Sequence, residues 1–133
     1  MIISQIQDLN DFDKIFEKYK YHGKNISFFQ MIFFIEACKN NLNQSYSIFL
    51  VSDEKNFIIL PLCKFKYNGL TFFGFLGSPD ICEENDVIHN FRSFDKFSNL
   101  LDNFFKLKKK KYFFCNLKSG FFSNYLHKNK KFY

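Results

Sequence analysis

Tryptophan is missing from this 133-residue chain, and proline and glycine are scarce at two and five residues. With so little of either, no Pro/Ser-rich linker marks a second domain, and no internal repeat is visible. The glycines do not fall into Gly-x-x-x-x-Gly-Lys or Gly-x-Gly-x-x-Gly, the spacings that let backbone N–H groups approach a phosphate. Gly-x-Ser-x-Gly is absent too, and Gly77-Ser78 leads into Pro79 rather than a helix, so nucleophilic hydrolysis has no support. The cysteines at 38, 63, 82 and 115 form no Cys-x-x-Cys pair, which argues against a zinc knuckle or a dithiol redox motif. His22, His89 and His127 are scattered over separate loops with no His-Glu-x-x-His pattern, so no metal site is expected. No signal-peptide pattern follows Met1, and the expectation is a cytoplasmic protein with reduced thiols. The apolar run Met31-Ile32-Phe33-Phe34-Ile35 is closed by Glu36, far short of a membrane span.

What the chain does have is phenylalanine. Its 22 Phe, against seven Tyr, indicate a drift that puts Phe where other large apolar residues would serve, so a single Phe reads as core filler rather than as a site. A hydrophobic content of 47% suits one globular domain covering residues 1–133. The net charge of +6 is local: Lys106 and Lys108 to Lys111 form one cluster, and Lys128, Lys130 and Lys131 a second. Such a run most often marks a solvated helix end, where cations complement the macrodipole.

The periodicity predicts a first strand around Ile2, Ile3 and Ile6, and a helix over 9–20 after a cap at Asp8. A second helix is expected from a Ser27 cap through Leu42. Strands over 46–51 and 57–66 follow, joined by a polar turn. Pro61 in the second of these belongs at a bulge, or with its nitrogen facing outward. Asn68-Gly69 signals a tight hairpin into a third strand over 70–76, stopped by Gly77-Ser78-Pro79-Asp80. Residues 81–92 read as an irregular acidic segment. Ser93 caps a helix with Phe94, Phe97, Leu100, Leu101, Phe104 and Phe105 on one stripe, Tyr112 to Leu117 reads as a buried strand, and Ser119-Gly120 opens a last short helix. The order is that of an α/β layered domain.

Asp80, Glu83, Glu84 and Asp86 cluster just past a strand end, where open α/β sheets place their sites. One of them could act as a general base for an amine or hydroxyl, although an acidic loop is usually just solvated. Lys118-Ser119-Gly120 is the nearest approach to a phosphate cradle.

Ser27-Phe28-Phe29-Gln30 opening a helix, the strand end Ile59-Leu60-Pro61-Leu62, the return strand ending Phe75-Leu76-Gly77, and the acidic loop after it resemble the N-terminal half of FemAB-like and CelD-type acyltransferases. These are tandem members of the GNAT (N-acetyltransferase-like) superfamily, and the likeness spans about residues 27 to 126. It implies a GNAT-like three-layer α/β domain with a mainly antiparallel central sheet flanked by helices. It also implies the acceptor side of an N- or O-acyl transfer to a sugar amine or polysaccharide precursor, with Asp80 and Asp86 as candidates for the acceptor-side base. The family uses acetyl-CoA or another acyl donor. This chain lacks the pyrophosphate signature Arg/Gln-x-x-Gly-x-Gly/Ala, carries Phe34 where the family commonly has Trp, and is about half the usual length. The isolated chain is therefore expected to be inactive, not to bind acetyl-CoA alone, and to need a second GNAT-like half or self-association. Consecutive Tyr112, Phe113 and Phe114 reinforce this by placing aromatics on both sheet faces. The alternative is a basic single-stranded nucleic-acid binding module using Lys106 to Lys111 with Tyr112 and Phe113. Those rings are better explained as strand core, which puts nucleic acid behind the acyl-transfer reading.

Overall fold

The computed structural model describes residues 1–6, 45–53, 55–76 and 85–129, together with positions 10, 11, 14, 15, 17, 36 and 37, which are helical. Most of the two helices expected over 9–20 and 27–42 lies outside the described residues. The described chain is an α/β protein with an antiparallel open sheet of five strands and two helices. The strands are β1 (Ile2–Ile6), β2 (Ser45–Ser52), β3 (Phe57–Tyr67), β4 (Leu70–Phe75) and β5 (Ile88–His89). The helices are α1 (Phe94–Leu107) and α2 (Phe121–Lys128).

Strands β1 to β4 lie in sequence order, each antiparallel to the next. The expected meander is present. Its tight turn holds Asn68 at φ 48° and Gly69 at φ 77°, and two consecutive left-handed residues match the right-handed twist of the strands they join. At the other end of β3, Asp53 Oδ1 accepts the Lys55 and Asn56 N–H groups at 2.9 and 2.7 Å and closes the β2–β3 turn.

Over residues 57–63, strand β3 is dry on both faces. Ile58, Leu60 and Leu62 join one core with Phe49, Val51, Phe75 and the inner residues of both helices. Phe57, Ile59, Cys63 and Phe65 join a second core on the opposite face, where the helical Ile15 also packs. A strand apolar on alternate residues in both directions is what a sheet covered on two sides requires.

Pro61 sits in the middle of this strand, opposite Ile48 of β2. Its carbonyl accepts the Leu76 N–H at 3.1 Å, so its nitrogen points to the same edge of β3. On that edge β4 pairs with residues 62–67 and β5 with residues 58 and 59, and Pro61 falls in the gap between them. The residue that cannot donate stands where no strand asks it to. No bulge is needed.

Three expectations are corrected. The stretch 81–92 was expected to be irregular, yet Ile88–His89 pairs with β3, continuing on the edge that β4 occupies. Residues 112–117 do not form a regular strand: they make two isolated parallel bridges, Tyr112 with Phe73 of β4 and Leu117 with Asn85, which precedes β5. Asn116, at φ 52°, interrupts the extended backbone between those bridges. Ser93 does stand at the N-cap of α1, but its side chain makes no capping bond there; its carbonyl accepts the Phe97 N–H at 3.2 Å.

The stripe predicted for α1 is the one that packs: Phe97, Leu100, Leu101, Phe104 and Phe105 are buried. Phe104 meets Phe49 edge-on at 5.2 Å, which seats the helix on β2. The Tyr125 hydroxyl donates to Asp102 Oδ1 at 2.7 Å and ties α2 to α1.

Candidate functional site

The described residues gather their buried polar groups in one place, where residues 85–89 pass the start of α2. Asn85, Asp86, His89 and Ser123 are all buried there. Asn85 clamps the edge segment three times. Its N–H donates to the Asn116 carbonyl at 2.8 Å, its own carbonyl accepts the Lys118 N–H at 2.9 Å, and its Nδ2 donates to the Cys115 carbonyl at 2.9 Å. The clamp pulls residues 115–118 against the line of β5 and so fixes where α2 begins.

Asp86 comes next along the chain and is 2% exposed. Oδ1 accepts the Val87 N–H at 2.8 Å. Oδ2 lies against Gly120, where an added Cβ would stand 3.3 Å from it. Burial pushes this carboxyl up to about 6, against the smaller opposing effects of the Val87 N–H and the Lys118 ammonium. The first turn of α2 is closed by its own residues. Gly120 N–H donates to Ser123 Oγ at 2.9 Å, and the Ser123 hydroxyl donates back to the Gly120 carbonyl at 3.0 Å.

His89 was expected on a loop surface; the structure buries it, at 3% exposure. Its Nδ1 accepts the Phe91 N–H at 3.1 Å, and its ring stacks on Phe121 with centroids 5.2 Å apart and an 11° tilt. Phe97 lies against the same ring at 4.9 Å. Nδ1 as an acceptor leaves the proton of the neutral ring on Nε2. His127 lies exposed on α2.

Of the two residues expected as a base, Asp86 lies at the head of α2, and Asp80 lies outside the described residues, as do Glu83 and Glu84. The reading of Asp86 as part of a solvated acidic loop is corrected, since the pairing of the neighbouring Asn85 and Ile88 draws it inside. Sequence reasoning missed His89 and the Asn85 clamp. The only signal for them was the apolar run Val87-Ile88, which marks a buried passage through an otherwise polar stretch.

This site does not fit the pyrophosphate of an acyl-CoA. The glycine-led helix start at Lys118-Ser119-Gly120 already faces the Asp86 carboxyl, and α1 carries Asp95 in its first turn. An incoming anion would meet protein carboxylates at either helix. Among the described residues there is no cluster of three His, Cys, Asp or Glu side chains suited to a metal. A separate cleft of about 380 Å³ lies along β1, lined by Ser4, Gln5, Ile6, Asp11, Lys14 and Ile15. Its charged groups are an exposed Lys14–Asp11 pair at 3.5 Å, which contributes little.

The fold and site define an α/β protein whose open antiparallel sheet carries a buried carboxyl at the head of its last described helix. No protein-family model, curated protein or solved structure matches the chain. Among the described residues, no helix is long and apolar enough to cross a membrane.

Proposed function

We propose that this chain is a GNAT-like acyltransferase domain that contributes the acceptor side of an N- or O-acyl transfer and depends on a second GNAT-like half, or a copy of itself, for the donor side. The observation that carries the reading is the chain path beyond β4. An antiparallel meander is followed by the two-residue β5 and then α1, after which Tyr112 returns in parallel beside Phe73 of β4. The three-layer arrangement belongs to the same reading and is supported by apolar clusters on both sheet faces.

Within this proposal Asp86 takes the proton from an acceptor amine or hydroxyl, such as that of an amino sugar. A carboxyl moved up to about 6 holds a proton more strongly than an ordinary aspartate, which suits a general base working near neutrality. At 2% exposure an acceptor reaches it only when the first turn of α2 opens. The donor is left to a second half, because neither of the two described helix starts fits its pyrophosphate.

The test is a titration of the isotope-labelled chain, followed by amide resonances, with glucosamine and separately with acetyl-CoA. The reading expects glucosamine to shift the signals of residues around Asp86 and Gly120, and acetyl-CoA to leave the spectrum unchanged. Tight binding of acetyl-CoA by the isolated chain would overturn the need for a second, donor half. Indifference to amine and hydroxyl acceptors would overturn the acceptor role.

A further inference from the structure

Helix α1 ends at Leu107. On the face it covers, Ser45, Lys64 and Lys66 in the rows beyond Leu62 are exposed, and the apolar cluster gives way to mostly polar side chains. Register places Ser45, Lys64, Phe73 and Tyr112 in one continuous row across β2, β3, β4 and the edge segment. Lys66 and Thr71 form the next row toward the hairpin. Lys64 and Lys66 are exposed, and Thr71 and Phe73 are half-buried. The Phe73 N–H donates to the Lys111 carbonyl at 2.8 Å, which brings the 106–111 lysine cluster to the border of these rows.

Sequence alone separates these lysines by forty residues and more; the sheet makes them neighbours. No described residue in the two rows or in 106–112 is acidic, so the field there has one sign. Residues two apart on a strand lie roughly 7 Å from each other on one face, and strands lie about 4.8 Å apart. The result is a flat platform with ammonium groups on two adjacent rows, hydroxyls at Ser45 and Thr71, and an aromatic ring at its centre. Phe73 is held in place by Tyr112, with centroids 6.1 Å apart.

We propose that this platform binds single-stranded nucleic acid, with phosphates on Lys64, Lys66 and the Lys108 to Lys111 border and a base stacked on Phe73. Sheet faces that join cations to a ring suit single strands, because every base offers a π-face and the backbone needs only charge. A bare anionic surface would use the lysines and ignore the ring. This binding does not depend on the acyl-transfer reading, which concerns the opposite end of β3.

The test is fluorescence anisotropy of a labelled single-stranded oligonucleotide titrated with the full chain over a range of salt. Lys64→Gln/Lys66→Gln should weaken binding and reduce the slope of log K against log salt by about 1.4, two released counterions at 0.7 each. Phe73→Leu should weaken binding about tenfold while leaving that slope unchanged, the signature of lost stacking rather than lost charge. Lys55→Gln/Lys96→Gln, at the other end of the molecule, should do neither. The proposal fails if this control pair lowers affinity as much as Lys64→Gln/Lys66→Gln. It also fails if Phe73→Leu has no effect, or if the chain sediments with phosphatidylserine vesicles but ignores the oligonucleotide.

Discussion

Strand β3 and the edge segment 110–118 flank β4 on its two sides and are held by different physics. Phe57, Ile58, Ile59, Leu60, Leu62, Cys63 and Phe65 of β3 are all buried, and the strand is paired along both edges. The edge segment is half-buried, leaves Phe113 39% exposed, and makes two isolated bridges. Polar ties make up the difference there, in the three bonds of the Asn85 clamp. One strand is kept in place by volume, the other by a few directional contacts, and the two should fail in different ways.

The largest effect belongs to volume. Leu60 is fully buried in the helix-covered core, and Leu60→Ala is expected to lower stability by about 4 kcal/mol, through lost transfer energy and the cavity left behind. Leu117→Ala in the edge segment should cost only about 1 kcal/mol, since that side chain is already half in solvent. Equal losses in urea denaturation of the two variants would remove the contrast.

Gly74 couples the two regions. A Cβ there would run into the Phe113 carbonyl oxygen and stand 2.9 Å from Phe65 Cε1. Gly74→Ala must push the edge segment off β4 or displace a buried ring, at a cost of about 3 kcal/mol. The Phe113 N–H, which donates to the Phe73 carbonyl at 2.9 Å, should lose protection from hydrogen exchange before the β2–β3 amides do. Loss of protection across the whole sheet at once would make the edge segment part of one unit with β3.

Asp86 gives the edge region a pH dependence that β3 lacks. Burial raises its carboxyl from 3.8 to about 6, so the native chain holds this proton to higher pH than the unfolded chain does. Stability from this group is therefore greatest below 3.8, declines as pH rises to about 6, and stays level above that, with an upper limit of roughly 3 kcal/mol. Asp86→Asn should abolish that decline and leave the variant more stable than the parent at pH 7 but not at pH 4. Parallel stability curves for parent and variant across this range would contradict a raised Asp86.

The same contrast explains what could be read in the sequence. The meander was legible because alternating apolar residues and Asn68-Gly69 act locally, and the α1 stripe because a single face repeats at helical spacing. Pro61 was legible only as an exception: its place depends on where β4 ends and β5 begins, which residues 57–66 do not encode. The candidate site was half legible. Asp86 was named for its neighbours' charge, but its burial comes from the pairing of Asn85 with Leu117, over thirty residues away. Lys64 and Lys66 passed unremarked because cross-strand register, and not spacing, brings them to the lysine cluster. His89 was misread because the Phe91, Phe97 and Phe121 rings that enclose it come from three stretches of chain.

The smallest expected effect tests the backbone of the edge segment itself. Asn116 lies at φ 52°, between the two bridges, and its carbonyl receives the Asn85 N–H at 2.8 Å. A left-handed conformation crowds Cβ against the following carbonyl; asparagine tolerates this better than most residues, and glycine escapes it altogether. Asn116→Ala should therefore be less stable than Asn116→Gly by about 1 kcal/mol, even though alanine restricts the unfolded chain more and would win at an ordinary position. Both variants lose the same side-chain contacts, so their difference reads the backbone alone. If Asn116→Ala proved the more stable of the two, the turn at 116 would not be what sets the path from the first bridge to the second. The Asn85 side chain, donating to Cys115, would then hold the segment without help from its backbone.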